Sequence, residues 1–241
     1  MALFMNGLTR RHLLAAMATA CAIAPLPGQA AAPPLRIGII GSGKVGSTLG
    51  GLWVKAGYQV MFSARTLGNA QDLAKSLGPL ASAGTPRQAV DFGDVVLLAV
   101  PYYAIPTLGP QLNPGLKGKI LLDATNPFAF RDGAIAATAA RDGAGATTQR
   151  YFPDARVVRG FNSLDMSAIR AQAHRPPPLM AVPIAGDDPT AVKTVVTLAQ
   201  AAGLDPVVTG NLASSLQYQP GHKGFELQDS AAALKAALHI Q

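Results

Sequence analysis

The chain has 241 residues, of which 49% are hydrophobic and 14% charged, so it is too apolar for a disordered protein. Its one cysteine excludes a disulfide framework and a cysteine-cluster metal site. The net charge of +7 suits a polyanion, a membrane surface, an anionic small ligand or an export signal, and composition alone does not choose among them.

Residues 1–31 are predicted to be a cleaved export signal. Arg10 and Arg11 precede an apolar run over 12–24, and small residues follow it, which is the arrangement of a secretory signal. The arginine pair resembles a twin-arginine motif, and the alternatives are an ordinary Sec signal or a disordered tail in which the pair occurs by chance. Cleavage is expected after Ala30 or Ala31, which predicts an exported, periplasmic protein.

Lipid attachment at Cys21 is disfavoured, because the Leu that a lipoprotein signal carries three positions earlier is missing. If the signal is removed, Cys21 leaves with it and the mature chain has no thiol for cysteine chemistry. No later segment is apolar over the roughly 20 residues that span a bilayer, so no integral membrane segment is expected.

From residue 35 onward, short apolar runs alternate with helical stretches, which predicts a Rossmann-type α/β fold with a doubly wound, mostly parallel sheet. We expect a dinucleotide-binding domain over 32–150 and, over 151–241, a small α/β C-terminal extension that completes the sheet and an acceptor pocket. Residues 131–150 are expected to form a mobile excursion with one helix. In chain order, the predicted elements are strand 35–40, helix 45–55, strand 58–62, helix 69–77, strand 80–83, a helix from Pro86, strands 94–100, 119–124, 156–161 and 179–185, and a helix from Pro189 to Ala202.

A glycine-rich loop directly follows the first predicted strand and opens the first helix, which is the context that a dinucleotide fingerprint requires. The first glycine permits a tight turn, the second lets a pyrophosphate approach the backbone, and the third lets the helix pack on the strand. The exposed amides and the helix dipole then hold the phosphate charge. The predicted cofactor-binding residues of this loop are Gly41, Ser42, Gly43, Lys44, Val45 and Gly46.

The end of the second strand predicts which dinucleotide is bound. Sites that prefer NAD usually carry an acidic residue there, whereas this chain has Ser63 and Arg65 and no acidic residue before Asp72. A hydroxyl and a guanidinium can bind the 2′-phosphate that a carboxylate would repel. The sequence therefore predicts NADP(H) as the cofactor, with a solvated surface charge as the alternative interpretation of Arg65.

Several motifs recur together in one family. The segments 38–46, 63–65, 95–101, 121–127, 158–164 and 184–188 resemble the NADPH-dependent reductases of the deazaflavin coenzyme F-420, and also the NADPH domain of the STEAP-type metalloreductases. Two features depart from that pattern. Ala64 places Arg65 one residue later than the family's Gly-Ser-Arg, and a Leu-Glu-Pro near the C-terminus appears here as residues 216–220 without the Glu.

The resemblance implies roles for two further groups of residues. Ala99, Val100 and Pro101 would run beside the nicotinamide ribose. A second set would lie near the nicotinamide and the acceptor, although Asn126 also suits a turn before proline and Asn162 also suits a helix N-cap. These acceptor-pocket candidates are Asn126, Pro127, Phe161 and Asn162.

The implied activity is hydride transfer between NADPH and a flavin or deazaflavin acceptor, with ferric iron as a further acceptor. Such a transfer needs oriented rings and exclusion of water, so no catalytic acid or base is expected, and no metal site. The alternative is an exported carrier or redox sensor that binds NADP(H) without turnover. The expected partner is a small-molecule acceptor and a homodimer is compatible with the sequence, whereas scattered basic residues give no nucleic-acid surface.

Overall fold

One mixed sheet of eight strands organises the part of the chain that the structure, a computed structural model, describes, residues 35–240. The strands lie in the order β3-β2-β1-β4-β5-β6-β7-β8. All neighbours are parallel except β6 and β7. The predicted Rossmann-type fold is therefore confirmed. The strands are β1 Arg36–Ile40, β2 Gln59–Ser63, β3 Ala81–Gly84, β4 Val95–Leu98, β5 Ile120–Asp123, β6 Arg156–Gly160, β7 Ala181–Gly186 and β8 Asp205–Gly210.

Helices cover both faces of the sheet, and several begin at residues that the sequence marks. Thr85 and Gln88 form a capping box at the start of the helix whose first residue is Pro86. The Asp188 side chain caps the helix that starts at Pro189. The helices are α1 Lys44–Lys55, α2 Leu67–Leu77, α3 Pro86–Phe92, α4 Ile105–Leu112, α5 Ala129–Asp132, α6 Ala134–Asp142, α7 Ala144–Tyr151, α8 Met166–Gln172, α9 Pro189–Ala201 and α10 Ala231–Leu238, with 3-10 helices at Tyr102–Ala104, Asn113–Leu116 and Leu212–Tyr218.

The two faces of the sheet bury separate cores. Strands such as β4 are buried at every position, because helices cover the parallel strands on both sides. The larger core packs against α1, α2, α8 and α9, and a second one packs against α3, α4, α6 and α7. In the larger core, the Trp53 indole N–H donates to the carbonyl of Leu198 at 2.9 Å, and the ring meets Phe161 edge-on with centroids 5.9 Å apart.

The expectation of a mobile excursion with one helix over 131–150 is wrong. This stretch lies in three consecutive helices, α5, α6 and α7, separated by Gly133 and Gly143. Both glycines have positive φ, 60° and 88°, which ends one helix and starts the next at a new angle. Ala139 and Ala144 are fully buried in the second core, so small side chains serve close packing here.

The strand β7 reverses the direction of the sheet. It runs antiparallel to β6, and β8 then pairs parallel to β7. The 3-10 helix Leu212–Tyr218 follows β8 and returns along the sheet, where the Tyr218 hydroxyl donates to the carbonyl of Arg159 at 3.2 Å. The residues after 210 thereby reach the edge where the parallel strands end. Within residues 35–240, none of the helices has the length and apolar character needed to cross a membrane.

Candidate functional site

The chain direction around β1 creates the site. The chain places β2 and β3 on one side of β1 and then crosses over to place β4 on the other side, so the order of the strands reverses at β1. Ligands of open α/β sheets bind at such a switch point. A cavity of about 710 Å³ opens there, at the carboxyl ends of β1, β2 and β4. Its lining residues are Ile40, Gly41, Ser42, Gly43, Ser63, Ala64, Arg65, Thr66, Asn69, Pro86, Ala99, Val100, Pro101, Tyr103, Ala104, Thr107 and Leu108.

Two glycines of the loop between β1 and α1 are required by the protein's own packing. Gly41 has φ of 102°, and a Cβ there would lie 2.4 Å from the carbonyl oxygen of Ala99. At Gly46 a Cβ would lie 2.0 Å from the carbonyl oxygen of Gly41. The amide of Gly41 also donates to the carbonyl of Ser63 at 3.0 Å. The loop is therefore held in a tight turn against both neighbouring strands.

Gly43 differs from these two glycines. It has an ordinary φ of −72°, and a Cβ built on it would meet no protein atom within 4 Å, although it lines the cavity. The turn does not need a glycine here, but a ligand approaching the backbone would.

The start of helix α1 offers unpaired donors at the same place. The backbone amides of residues 42–46 donate to no other group within the described chain, and α1 has neither a side-chain cap nor an acidic residue in its first turn. These amides and the positive end of the helix dipole suit an anion such as a pyrophosphate. Lys44, Val45 and Gly46 form this turn without lining the cavity wall.

Ser63 and Arg65 both line the cavity, but they differ in what they can offer a ligand. Ser63 is fully buried, and its hydroxyl donates to the carbonyl of Ile39 at 2.7 Å, so its proton is already used within the sheet. The role of Ser63 in binding a 2′-phosphate stays a prediction, and it requires the hydroxyl to leave the carbonyl of Ile39. Arg65 is exposed, and among residues 35–240 no carboxylate forms an ion pair with it.

The wall of the cavity also contains residues that the sequence does not single out. Thr66 precedes helix α2 but makes no capping hydrogen bond with its side chain, and Asn69 lies in the first turn of that helix. Both are polar, exposed and close in sequence to Arg65. Tyr103 and Leu108 come from the segment after β4, where the predicted Ala99, Val100 and Pro101 also line the cavity. A search for polar residues just after each switch-point strand would have found Thr66 and Asn69.

The acceptor-pocket candidates are linked to one another but do not line this cavity. The Asn126 side chain donates to the carbonyl of Asn162 at 2.6 Å, and the Asn162 amide donates to the Asn126 side-chain oxygen at 3.2 Å. Asn162 also donates to the carbonyl of Tyr218 at 3.1 Å. It is not an N-cap, because Asp165 caps helix α8.

Phe161 does not fit the role of a pocket side chain. Its ring is fully buried in the larger core against Trp53, although its backbone adopts a positive φ of 63°. Pro127 is buried as well, next to Asn126. The position of Phe161 near the acceptor stays a prediction, and because its ring is buried, only its backbone would face the acceptor.

A buried ion pair lies beneath Asn126, and sequence reasoning gave it no role. Arg159 on β6 donates to the Asp123 carboxylate on β5 at 2.7 Å, and neither side chain is exposed. Arg159 also donates to the carbonyl of Thr125 at 2.7 Å, while Asp123 accepts from the Thr148 hydroxyl at 2.8 Å. This network fixes the backbone that carries Asn126. Among the residues that the structure describes, no group of three or more potential ligands could hold a metal ion.

Two buried tyrosines, Tyr102 and Tyr218, lie near the Arg159–Asp123 pair. Burial raises the pKa of Tyr102 and of Tyr218 far above the usual value, so both phenols stay protonated at neutral pH. Tyr102 donates to the carbonyl of Ala144 at 2.8 Å, which ties the loop after β4 to helix α7. Their role in this structure is to connect segments around the site.

The comparison with protein families gives a match over the region that carries this geometry. Residues 36–127 match the family described as NADP oxidoreductase, coenzyme F420-dependent. This part of the chain is therefore similar to the coenzyme F420-dependent NADP oxidoreductases. The family region contains β1 to β5 and the whole lining of the cavity, so the loop, Arg65 and the segment after β4 all fall within it.

Other proteins extend the similarity beyond the family region. The metalloreductase STEAP3 of Rattus norvegicus is 29% identical over 190 residues, which is 76% of this chain, but the chain spans only 36% of the length of STEAP3. A hypothetical protein of Sinorhizobium meliloti is 25% identical with a TM-score of 0.70, over 81% of this chain and 95% of that one. A protein of Arthrobacter sp. FB24 assigned as an F420-dependent NADP-reductase has 23% identity and a TM-score of 0.64, over 76% of this chain and 87% of that one, and supports the fold.

Proposed function

We propose that this chain is an NADP(H)-dependent oxidoreductase that transfers a hydride between NADPH and a flavin or deazaflavin acceptor. The observation that carries the proposal is the open space at Gly43. A glycine stands on the cavity wall where the protein's own packing does not require one, beside amides that have no partner in the described chain. A dinucleotide pyrophosphate fits that combination of space and donors.

The wall of the cavity divides into regions that suit different parts of NADP(H). The amides of residues 42–46 would hold the pyrophosphate, and Arg65 would hold the 2′-phosphate by charge-assisted hydrogen bonds. Thr66 and Asn69 lie in the turn that follows Arg65 and can add hydrogen bonds there. Ala99, Val100 and Pro101 give the opposite wall an apolar surface.

Bound NADPH supplies the hydride, and the residues of the cavity supply orientation and shielding from water. The ionisable side chains among the described lining residues are Arg65 and Tyr103. An arginine stays protonated in proteins, so it binds a phosphate rather than exchanging a proton. This wall suits transfer to an acceptor ring that takes a hydride directly, because positioning then contributes most of what the protein provides.

The cofactor preference is tested with Arg65→Ala. We expect the unchanged protein to bind NADPH more tightly than NADH, and the variant to lose about tenfold or more of its NADPH affinity, or about 1.4 kcal/mol, with NADH little changed. Isothermal titration with both nucleotides measures this. Lys75→Ala, which removes another exposed charge farther along α2, is the matched control. Equal affinities for the two nucleotides in the unchanged protein would contradict the proposal.

The acceptor is tested by mixing the protein with NADPH and, separately, FMN, a deazaflavin or a ferric chelate. Loss of NADPH absorbance with one of them identifies the acceptor class. If NADPH binds tightly but none of the three is reduced, the chain is a carrier or sensor of NADP(H) rather than an enzyme.

A further inference from the structure

An exposed cluster of phenylalanines lies beside the loop that carries Asn126. Phe130 is 87% exposed, the highest value among the large hydrophobic side chains of residues 35–240. Its ring stacks on Phe128 with centroids 5.4 Å apart and an interplanar angle of 28°, and Phe128 meets Phe225 edge-on at 6.4 Å. We call these three rings the aromatic surface. Phe128 covers only a small part of Phe130, so most of the Phe130 ring lies in solvent, where an apolar ring is unfavourable.

A buried carboxylate joins the aromatic surface to the wall of the cavity. Asp132 accepts from the amide of Phe128 at 2.7 Å and, through its other oxygen, from the amide of Tyr103 at 3.1 Å. Tyr103 lines the cavity, and Phe128 belongs to the aromatic surface. The Asp132 carboxylate therefore ties the backbone of the segment that carries the aromatic surface to the backbone of a segment that lines the cavity.

The Phe128 ring is held in place before any ligand arrives. Arg131 lies over it, with the guanidinium carbon 5.1 Å from the ring centroid. The same guanidinium donates to Asp132 at 2.8 Å and to the carbonyl of Asn126 at 2.8 Å. Phe128 is therefore a fixed ring against which Phe130 stacks.

We infer that the aromatic surface is the stacking site for the acceptor ring, a planar isoalloxazine or deazaflavin, with Phe130 as the contact residue. This inference rests on the proposed function. Planar rings prefer offset stacking at the spacing that Phe128 and Phe130 already show, so an acceptor ring continues the stack. The place also agrees with the transfer, because the surface adjoins the cavity that would hold NADPH.

A flat small molecule fits this surface better than a second copy of the chain. Stable protein interfaces bury on the order of 1,000 Å² or more. The other exposed large hydrophobics of the described residues, apart from Tyr103, are Leu67, Leu80 and Val208, which lie on α2, beside β3 and on β8. They are scattered over other elements and do not extend the aromatic surface.

The test measures ring binding directly, without turnover. FMN is titrated with the NADP-loaded protein, and the rise in anisotropy of the flavin fluorescence gives the dissociation constant. We expect Phe130→Ala to weaken binding at least tenfold and Phe130→Trp to retain it, because tryptophan preserves a stacking face. Val208→Ala, which truncates an exposed apolar side chain on β8, is the matched control and should bind FMN as the unchanged protein does.

The outcomes separate this inference from the proposed function. NADPH binding with no binding of FMN, riboflavin or a deazaflavin would overturn the stacking site and leave the cofactor proposal intact. Flavin binding that depends on Phe130, in a protein that does not bind NADPH, would support the stacking site and overturn the cofactor proposal. If Phe130→Ala leaves flavin affinity unchanged but converts a dimer to a monomer, the aromatic surface is an interface between copies and the inference is wrong.

Discussion

Arg159 and Asp123 form an ion pair that is completely removed from solvent, with 2.7 Å between the guanidinium Nη1 and a carboxylate oxygen. The pair joins β5 to β6 where both strands end, and Arg159 reaches on to the carbonyl of Thr125. Desolvating two charges is costly, and the hydrogen bonds that surround the pair must offset that cost. We interpret the pair as the support of the loop that carries Asn126.

Breaking this pair from one side should be strongly destabilising. Replacing Arg159 with Met leaves the Asp123 carboxylate buried without its partner, and we expect a loss of about 3–5 kcal/mol in the free energy of unfolding. The double variant with Asp123→Asn should lose less, because no buried charge remains. Urea denaturation followed by the fluorescence of Trp53, the one tryptophan of the chain, measures both.

The exposed pair between Arg87 and Asp91 is the control for that experiment. Arg87→Ala should change the free energy of unfolding by less than about 1 kcal/mol, because exposed ion pairs are screened by water. An Arg159→Met protein as stable as Arg87→Ala would show that the buried pair does not support the loop.

Two glycines of the loop between β1 and α1 should respond differently to alanine. Gly46→Ala places a methyl group 2.0 Å from the carbonyl oxygen of Gly41, so we expect loss of stability together with loss of NADPH binding. Gly43→Ala meets no protein atom within 4 Å, and stability should change by about 1 kcal/mol or less, as for other exchanges at a helix N-cap. Its NADPH affinity should nevertheless fall by about tenfold or more, since the methyl group occupies ligand space. A Gly43→Ala protein that binds NADPH normally would remove the main support for the proposed function.

The stabilising effect of Asp132 should depend on pH. Burial raises the pKa of this carboxyl, but hydrogen bonds from Arg131 and from the amides of Phe128 and Tyr103 lower it further, and the net result lies below the usual 3.8. A carboxyl whose pKa is lower in the folded than in the unfolded state stabilises the fold above the unfolded value and loses that effect as the pH falls.

We therefore expect Asp132→Asn to lower the urea midpoint at neutral pH, with the difference from the unchanged protein narrowing once the pH falls below 3.8. Asp72→Asn, an exchange at an exposed position of α2, is the matched control. A difference that stays constant from pH 7 to pH 3 would mean that the charge of Asp132 is not what matters.

The export signal is a prediction that lies outside the described residues. Replacing Arg10 and Arg11 with Lys keeps the positive charge but removes the arginine pair that the twin-arginine route reads. We expect the precursor to remain in the cytoplasm of a host that has this pathway, as measured by cell fractionation and by the mass of the chain. Export and cleavage that continue unchanged would favour the Sec alternative.

The first half of the fold was predictable because its signals are local. The strand, loop and helix around Gly41 follow one another without a break, and the apolar run of β4 is buried on both faces. The start of the helix at Pro86 was equally predictable from the sequence, since Thr85 and Gln88, three residues apart, cap it with their side chains. Each of these elements depends on residues close together in the sequence.

The parts that were missed depend on distant contacts. The residues next to Ser63 in the sequence do not indicate that its hydroxyl donates a hydrogen bond to the carbonyl of Ile39, 24 residues earlier. The antiparallel direction of β7 and the existence of β8 result from pairing across the sheet, which a short apolar run does not specify. The burial of the Phe161 ring against Trp53 is likewise a contact between distant parts of the sequence.

The hydrogen bond from Trp53 to Leu198 also limits where the chain can be cut into fragments that fold on their own. Trp53 belongs to α1, whereas Leu198 belongs to α9, far along the chain. A fragment that stopped at residue 150 would expose the indole ring to water and leave its N–H without that acceptor. The cofactor half and the later strands therefore form one folding unit, and shuffling the cofactor half into another protein would require a replacement for α9.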